Sequence, residues 1–489
     1  MKNTFLAISL GNDSVRTLLG ELTDGNLNLR EIHSFANVPL VVDGQSYWDI
    51  DLIFAEIKKC LAQVADSDIP VESIGITTSG MGFSLLFEDG SSTKPLFRFE
   101  GDTAELAEAL TALMAADKIF GQTGVQLADG NTLLQVLDIK RSAFESLKKA
   151  KHFLFLPDIF NYLLTSVLQT EFSIAATSQL YNPVKRLWDR DVLRILSLPV
   201  AIMPRIAEPG SIIGSLTNNI SYATGMARIP VVAVASDAIA SAVSSIPATG
   251  NNWAYISIGD SIKMGFESAT AIITKKSMQL NFTNAGGAGH MFHLHRNLVG
   301  FSLLQQCRDA WTENSYTPEE LTTLATASKP FTAFIDTDHA SFADAENLPA
   351  AIAAYCESTG QDIPQTQGEI IRTILEGLAF KFRVVAGQIE DLSGCKPGTI
   401  YITGEGIENE LLCQFTADSC AVIVKTAAAE AGVAGNILVQ AIALGIVKNV
   451  AELREIIGRS FPGKDFQSLE KKVWDKAFER YLQTVSPKT

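Results

Sequence analysis

The feature that most constrains this chain is a motif that occurs twice. Phe5-Leu-Ala-Ile-Ser-Leu-Gly11-Asn-Asp-Ser14 and Ala254-Tyr-Ile-Ser-Ile-Gly259-Asp-Ser261 each read as a short apolar strand, a glycine turn and a second strand-like run, over residues 15–22 and 262–266. In the first copy Asp24-Gly25 turns the chain again into residues 27–32. Starting the same unit twice points to two related domains facing each other across a cleft. A run of turn formers, Ser245-Ile-Pro-Ala-Thr-Gly-Asn-Asn252, supplies a linker. We therefore expect domains at 1–247 and 248–489, and 489 residues exceed what one core usually supports.

Helical periodicity marks residues 52–64, 104–114, 132–147, 366–392, 410–420 and 432–444. Strand-like runs lie at 74–78, 231–235, 399–403 and 421–425, and the mixture predicts α/β layers. Residues 451–483 read as amphipathic helix interrupted at Pro462-Gly463.

Charge and cysteine usage exclude several classes. With 39 Lys+Arg against 54 Asp+Glu, the net charge of −15 argues against a nucleic-acid partner. The six cysteines (Cys60, Cys307, Cys356, Cys395, Cys413, Cys420) form no CxxC pair, which fits a reducing, cytoplasmic setting rather than a disulfide scaffold or zinc site. The apolar start runs straight into Asn12, Asp13 and Arg16 and is read as a strand, not a signal peptide. The best candidate for a membrane span, 427–447, contains Glu430, Asn436 and Gln440, so no membrane partner is expected.

Three glycine turns follow strands, at Ser9-Leu-Gly11, Ser257-Ile-Gly259 and Thr403-Gly404-Glu-Gly406. A turn without a Cβ lets backbone N–H groups approach a phosphate, as a nucleotide cleft requires. The strand at Val231 delivers Asp237 to its C-terminal end, where open α/β sheets hold ligands, so Asp237 is a candidate general base or magnesium ligand. Preceding Ala-Ile-Ala-Ser-Ala-Val, it is also an ordinary helix N-cap, the reading that the sequence alone favours. His290, His293 and His295 do not share one strand face and find no Cys or Glu at a matching spacing, so a structural role is expected. Gly286-Gly-Ala-Gly289 is read as a turn, and neither GxxxxGK[ST] nor GxSxG occurs.

Taken together, the segments resemble the FGGY carbohydrate kinases, and among them are most similar to the L-rhamnulose kinases. The resemblance is carried by Gly75-Ile-Thr-Thr-Ser-Gly80, Phe120-Gly-Gln-Thr-Gly-Val-Gln126, Pro157-Asp-Ile-Phe-Asn-Tyr162, Ala175-Ala-Thr-Ser-Gln179, Pro230-Val-Val-Ala-Val-Ala-Ser236, Met264-Gly-Phe-Glu-Ser268, Asn297-Leu-Val-Gly300, Leu303-Leu-Gln305, Ala353-Ala-Tyr-Cys356, Pro364-Gln-Thr366 and Gly435-Asn436, in order along nearly the whole chain. It implies two actin-like, ribonuclease-H-like domains, with sugar bound mainly by the first, ATP mainly by the second, and catalysis on cleft closure. The implied chemistry is transfer of the ATP γ-phosphoryl group to a ketose hydroxyl, with magnesium as the accompanying ion. The resemblance places sugar contacts at Gly80, Asp237 and Asn297, and nucleotide contacts at Gly11, Asn12, Asp13, Ser14, Arg16, Gly259, Asp260, Gln305 and Gly404.

Several functional positions depart from the family pattern. Its first phosphate turn opens with Asp-x-Gly, where this chain has Ser9-Leu-Gly11. Its second strand-turn carries two Asp residues, matched here by Thr77 and Gly82. Its Tyr-Arg-Asp becomes Phe97-Arg98-Phe99, and its His-Asp becomes Asp237-Ala238, which leaves a methyl group at the base position. Asp260 stands where the second phosphate turn usually has Thr. The expectation is a rhamnulokinase-like kinase homologue with impaired turnover. The alternatives are a sugar- or nucleotide-sensing binding protein, or a kinase using Asp237 as a relocated base with Asp260 or Asp13 on magnesium. Metal ligands, the particular sugar and homo-oligomer formation are left open.

Overall fold

A computed structural model describes residues 2–67, 69–259, 261–311, 316–343 and 345–485. Its elements divide into two units, one comprising Met1–Pro247, Glu267–Leu294 and Glu430–Phe461, the other Ala248–Phe266, His295–Ala429 and Pro462–Thr489.

The first unit is built on β1 (Lys2–Leu10), β2 (Ser14–Thr23), β3 (Asn26–Ala36), β4 (Ile74–Thr78), β5 (Ser211–Ser215) and β6 (Pro230–Ala233), in the sheet order β5-β6-β4-β1-β2-β3. β1 and β4 are buried on both faces, which is why they read as nearly continuous apolar runs. Parallel pairing of β1 with β4, and of β4 with β6, brings three strand C-termini to one edge of the sheet. Helices cover and extend this sheet. In α1 (Ile50–Asp66), Ile53, Ile57, Cys60, Leu61 and Val64 bury one stripe at helical spacing. The short α2 (Ala238–Ser244) follows the end of β6 after four intervening residues.

The second unit repeats the local plan. β7 (Trp253–Ile258) forms a hairpin with β8 (Ile262–Ser268), as β1 does with β2, and pairs in parallel with β9 (Thr399–Gly404), which pairs in parallel with β10 (Ile423–Thr426). Around it stand α3 (Ser302–Ala310), α4 (Pro318–Ala327), the long α5 (Gln367–Ser393) and α6 (Glu410–Cys420). α5 begins on a capping box, with Thr366 accepting from the Glu369 amide and Glu369 reaching back to Thr366, and ends at Gly394 in the left-handed conformation.

The chain then returns to the first unit as α7 (Ala431–Ala443) and α8 (Val450–Ser460). Gln440 of α7 donates to the Leu6 carbonyl at 3.1 Å and accepts from the Ser73 hydroxyl at 2.7 Å, so a buried amide ties this helix to the central strands. At Gly435 a Cβ would strike the Ser241 carbonyl of α2, so glycine sets how closely the two helices pack. One expected helix is divided: residues 132–147 form Thr132–Ser142 and Phe144–Lys149, parted at Ala143 (φ −142°, ψ 48°). Among the described residues no helix is long and apolar enough to cross a membrane.

Candidate functional site

In the first unit the expected sugar and phosphate positions collect at the C-terminal edge of β1, β4 and β6, where an open α/β sheet holds its ligands. After β1, the Gly11 amide donates to the Ser14 carbonyl at 3.0 Å and a Cβ on Gly11 would lie 2.9 Å from that oxygen, so the turn needs glycine for its own closure. Asn37 holds the turn from outside, donating through its side chain to the Gly11 carbonyl (2.8 Å) and through its amide to that of Asp13 (2.9 Å). Asn12 and Asp13 are left exposed. Arg16 is occupied: it pairs with Glu31 at 2.6 Å and in a fork with Glu430 at 2.8 and 3.2 Å, and the Glu430 bond above all raises its pKa.

Ser9 and Thr77, two of the positions where the family has acids, lie opposite each other in the β1–β4 register. The pair is therefore two hydroxyls facing across neighbouring strands. Beyond Thr77, the Gly80 amide donates to the Thr78 hydroxyl (2.9 Å), and a Cβ on Gly80 would meet the buried Trp48 ring at 2.7 Å. Phe97 packs on the same ring, with centroids 5.0 Å apart, and a Cβ on Gly82 would lie 2.7 Å from the Leu96 carbonyl.

Beyond the end of β6, Asp237 caps α2: one carboxylate oxygen accepts from the Ile239 amide at 2.9 Å and the Ala240 amide at 3.0 Å. Its other oxygen has no hydrogen bond among the described residues, and the side chain is only half-buried. Ala238 follows as the first helical residue. Beneath them lie two fully buried carboxyls that sequence reasoning missed, Asp158 and Glu171; burial pushes the Asp158 pKa up to about 8 and also acts upward on Glu171, where the hydrogen bonds from Ser173 and Ser236 oppose it. Asp158 lies within the run Pro157-Asp-Ile-Phe-Asn-Tyr162 but was not singled out, and Glu171 ends a three-residue strand, Gln169–Glu171, too short to be read from periodicity. Of the histidines, His293 is buried 3.7 Å from Glu267, which also pairs with Arg454 at 2.9 Å, while His290 is exposed beside Glu208 at 3.1 Å. Burial acts to raise the Glu267 pKa, but His293 and Arg454 outweigh it and hold it below the usual carboxylate range.

In the second unit a pocket of about 680 Å³ opens at the C-terminal edge of β7 and β9. Of the expected nucleotide contacts, Gly259 and Gln305 line it, Gly404 directly precedes the lining residue Glu405, and Asp260 lies outside the described residues. Gly404 pairs with Ile258 and has φ 77° and ψ −155°, a conformation essentially reserved for glycine. Phe301, Leu304, Leu321 and Ile371 supply an apolar wall suited to a flat ring. Gln305 is exposed and bonded within its own helix, donating to Asp309 at 2.6 Å and accepting from Arg308 at 3.1 Å. The rim is acidic: among the described residues Glu319, Glu405, Glu408 and Glu410 face a single lining cation, Arg308, and Glu410 is paired with Lys464. Three of these acids were legible as the run Glu405-Gly-Ile-Glu408-Asn-Glu410 but were not singled out. Asn297, an expected sugar contact, is exposed near the end of the strand Phe292–Leu298. The segment around it is anchored by Asp338, which accepts from the Val299 amide at 3.0 Å and pairs with the buried Lys381 at 2.7 Å.

Comparison with known proteins identifies the family and the fold. Residues 4–244 match the N-terminal domain of the FGGY family of carbohydrate kinases, and residues 254–444 match its C-terminal domain. The chain is 36% identical to a rhamnulokinase of Bacteroides thetaiotaomicron, over 99% of this chain and 100% of that one. It is 33% identical to a rhamnulokinase of Klebsiella pneumoniae, over 92% of each. Among solved structures, a gluconate kinase from Lactobacillus acidophilus superposes with a TM-score of 0.81 at 17% identity, covering 99% of this chain and 97% of that one. A Plasmodium falciparum glycerol kinase also gives 0.81, at 14% identity over 99% and 98%, so these two show a shared fold.

Proposed function

This chain belongs to the FGGY family of carbohydrate kinases as a rhamnulokinase-like member, and from that premise we propose that it binds a ketose such as L-rhamnulose and ATP but transfers phosphate slowly. The ketose is assigned to the sheet edge of the first unit that carries Gly80 and Asp237, and the nucleotide to the pocket of the second unit lined by Gly259 and Gln305. In the nominal reaction the ketose hydroxyl oxygen attacks the γ-phosphorus, the bond to the ADP oxygen breaks, and a base takes the hydroxyl proton. The observation that carries the reading lies beyond the end of β6: Asp237 caps α2 through one carboxylate oxygen, and the next residue, at the family's base position, is Ala238. Losing a general base costs about 10²–10⁴ in rate.

Among the described residues no three acidic, histidine or cysteine side chains gather into a metal cage. Magnesium beside a nucleotide needs only one or two carboxylates together with the phosphates, and Glu405, Glu408 and Glu410 are of that kind. When bound, the ion neutralises phosphate charge, which this acidic rim otherwise opposes.

One observation favours a second reading, the relocated base: Asp237 keeps a carboxylate oxygen with no hydrogen bond among the described residues. Calorimetry with ATP–Mg²⁺ and with L-rhamnulose, followed by an ADP-release assay, tests both. Binding of both ligands with little ADP release is expected. Ordinary turnover that Asp237→Asn abolishes, with the cap still in place, would establish the relocated base instead.

A further inference from the structure

The turn carrying Asp237 is held from behind by a carboxylate to which the proposed reaction gives no role. Glu171, 1% exposed, accepts four hydrogen bonds. They come from the amides of Ser173 (2.8 Å), Ile174 (3.3 Å) and Ser236 (3.1 Å), and from the Ser173 hydroxyl (2.5 Å). That hydroxyl works as a relay, because its oxygen in turn accepts from the Asp237 amide at 3.0 Å. Both backbone N–H groups at the Ser236–Asp237 step thus end on Glu171, one directly and one through Ser173.

Capping explains only half of this arrangement. The Ser173 and Ile174 amides open the short helix Phe172–Thr177, and any good N-cap side chain would serve them. The other two bonds lead to a segment 65 residues further along the chain. Meeting all four donors needs an acceptor with two oxygens and about four lone-pair sites, which a carboxylate has and a hydroxyl or an amide does not. From its other side the Ser236 carbonyl accepts from the Thr78 amide at 2.8 Å, so the turn is clamped between β4 and Glu171.

We propose that Glu171 is a positioning residue: through Ser236 and the Ser173 relay it fixes the turn that aims Asp237 at the ligand edge of the first unit. This rests on the reading that the edge takes a ketose. The test uses the full-length protein with Glu171→Gln and Ser173→Ala, residue-resolved hydrogen exchange, and calorimetry with L-rhamnulose. Ser173→Ala should speed exchange of the Asp237 amide about tenfold and leave that of Ser236 unchanged, whereas Glu171→Gln should speed both, as expected for losing bonds of this kind. Each should weaken L-rhamnulose binding about tenfold. Exchange at both amides that stays at the wild-type rate, or rises equally across the whole chain, would overturn the proposal. If the wild-type protein binds no ketose, the functional reading falls, and the pattern of amide exchange still decides whether Glu171 positions the turn.

Discussion

At residue scale, the proposed slow turnover rests on Asp237 and Ala238. Asp237→Ala removes the acceptor for two helix amides and should cost about 1 kcal/mol in urea unfolding, whereas Asp237→Asn should keep most of that stability. Equal unfolding midpoints for Asp237→Ala and the wild type would show that the cap contributes nothing. Ala238→Asp, which returns a carboxylate to the first helical position, should raise ADP release by up to about 10²-fold, read in a coupled assay with ATP–Mg²⁺ and L-rhamnulose. No gain would mean that the hydroxyls at Ser9 and Thr77 limit the reaction as much as the missing base. Gly11, Gly259, Gly404 and Asp237 could be singled out in the sequence because glycines and acids at strand ends stand out, whereas Gly80, Asn297 and Gln305 came from the family resemblance alone. The commitments of the side chains could not be read there. Nothing near Arg16 in the chain announces Glu430, and nothing near Gln305 shows that its amide is bonded within its own helix.

Among the elements, the glycines that shape the two candidate sites also hold the fold. Gly404 ends β9 in a conformation other residues avoid, and a Cβ there would strike the Ile258 carbonyl. Gly404→Ala should therefore destabilise the protein by about 2 kcal/mol or more in urea unfolding and weaken ATP binding in calorimetry. Unchanged stability would mean that the strand end relaxes freely. Most strands and helices were legible because apolar spacing reports burial directly: residues 74–78 and 410–420 form the elements their patterns predict. The break at Ala143 was not, because a single non-helical residue scarcely disturbs an apolar period. What α7 packs against was also hidden, since periodicity shows that a face is buried and not what covers it; Gln440 finds Leu6 across 434 residues of chain.

Across the whole molecule, buried carboxyls set the response to pH. Asp158 is raised to about 8 and Glu376 to about 7, in each case first of all by burial. Above about pH 4.5 the unfolded chain releases these protons while the folded one keeps them, so stability should fall as pH rises from 5 to 8. Glu267 works in the opposite sense: its lowered pKa stabilises the fold above its unfolded value, and that contribution is lost only on acidification. Urea midpoints between pH 5 and 8 should therefore decline, and Asp158→Asn should flatten the decline; a rise with pH, or parallel curves, would contradict this. The doubled strand–turn motif showed the two-unit plan at this scale because it is a local pattern, β1–β2 and β7–β8, that a sequence can carry whole. The central claim is that a sugar-kinase fold has kept recognition while losing the groups that speed phosphoryl transfer. Its most direct test is the rate of ADP release at saturating ATP–Mg²⁺ and L-rhamnulose, on protein shown by calorimetry to bind both. The expected result is binding with turnover at least about 10²-fold below the ~1–100 s⁻¹ typical of kinases, whereas turnover within that range would contradict the claim.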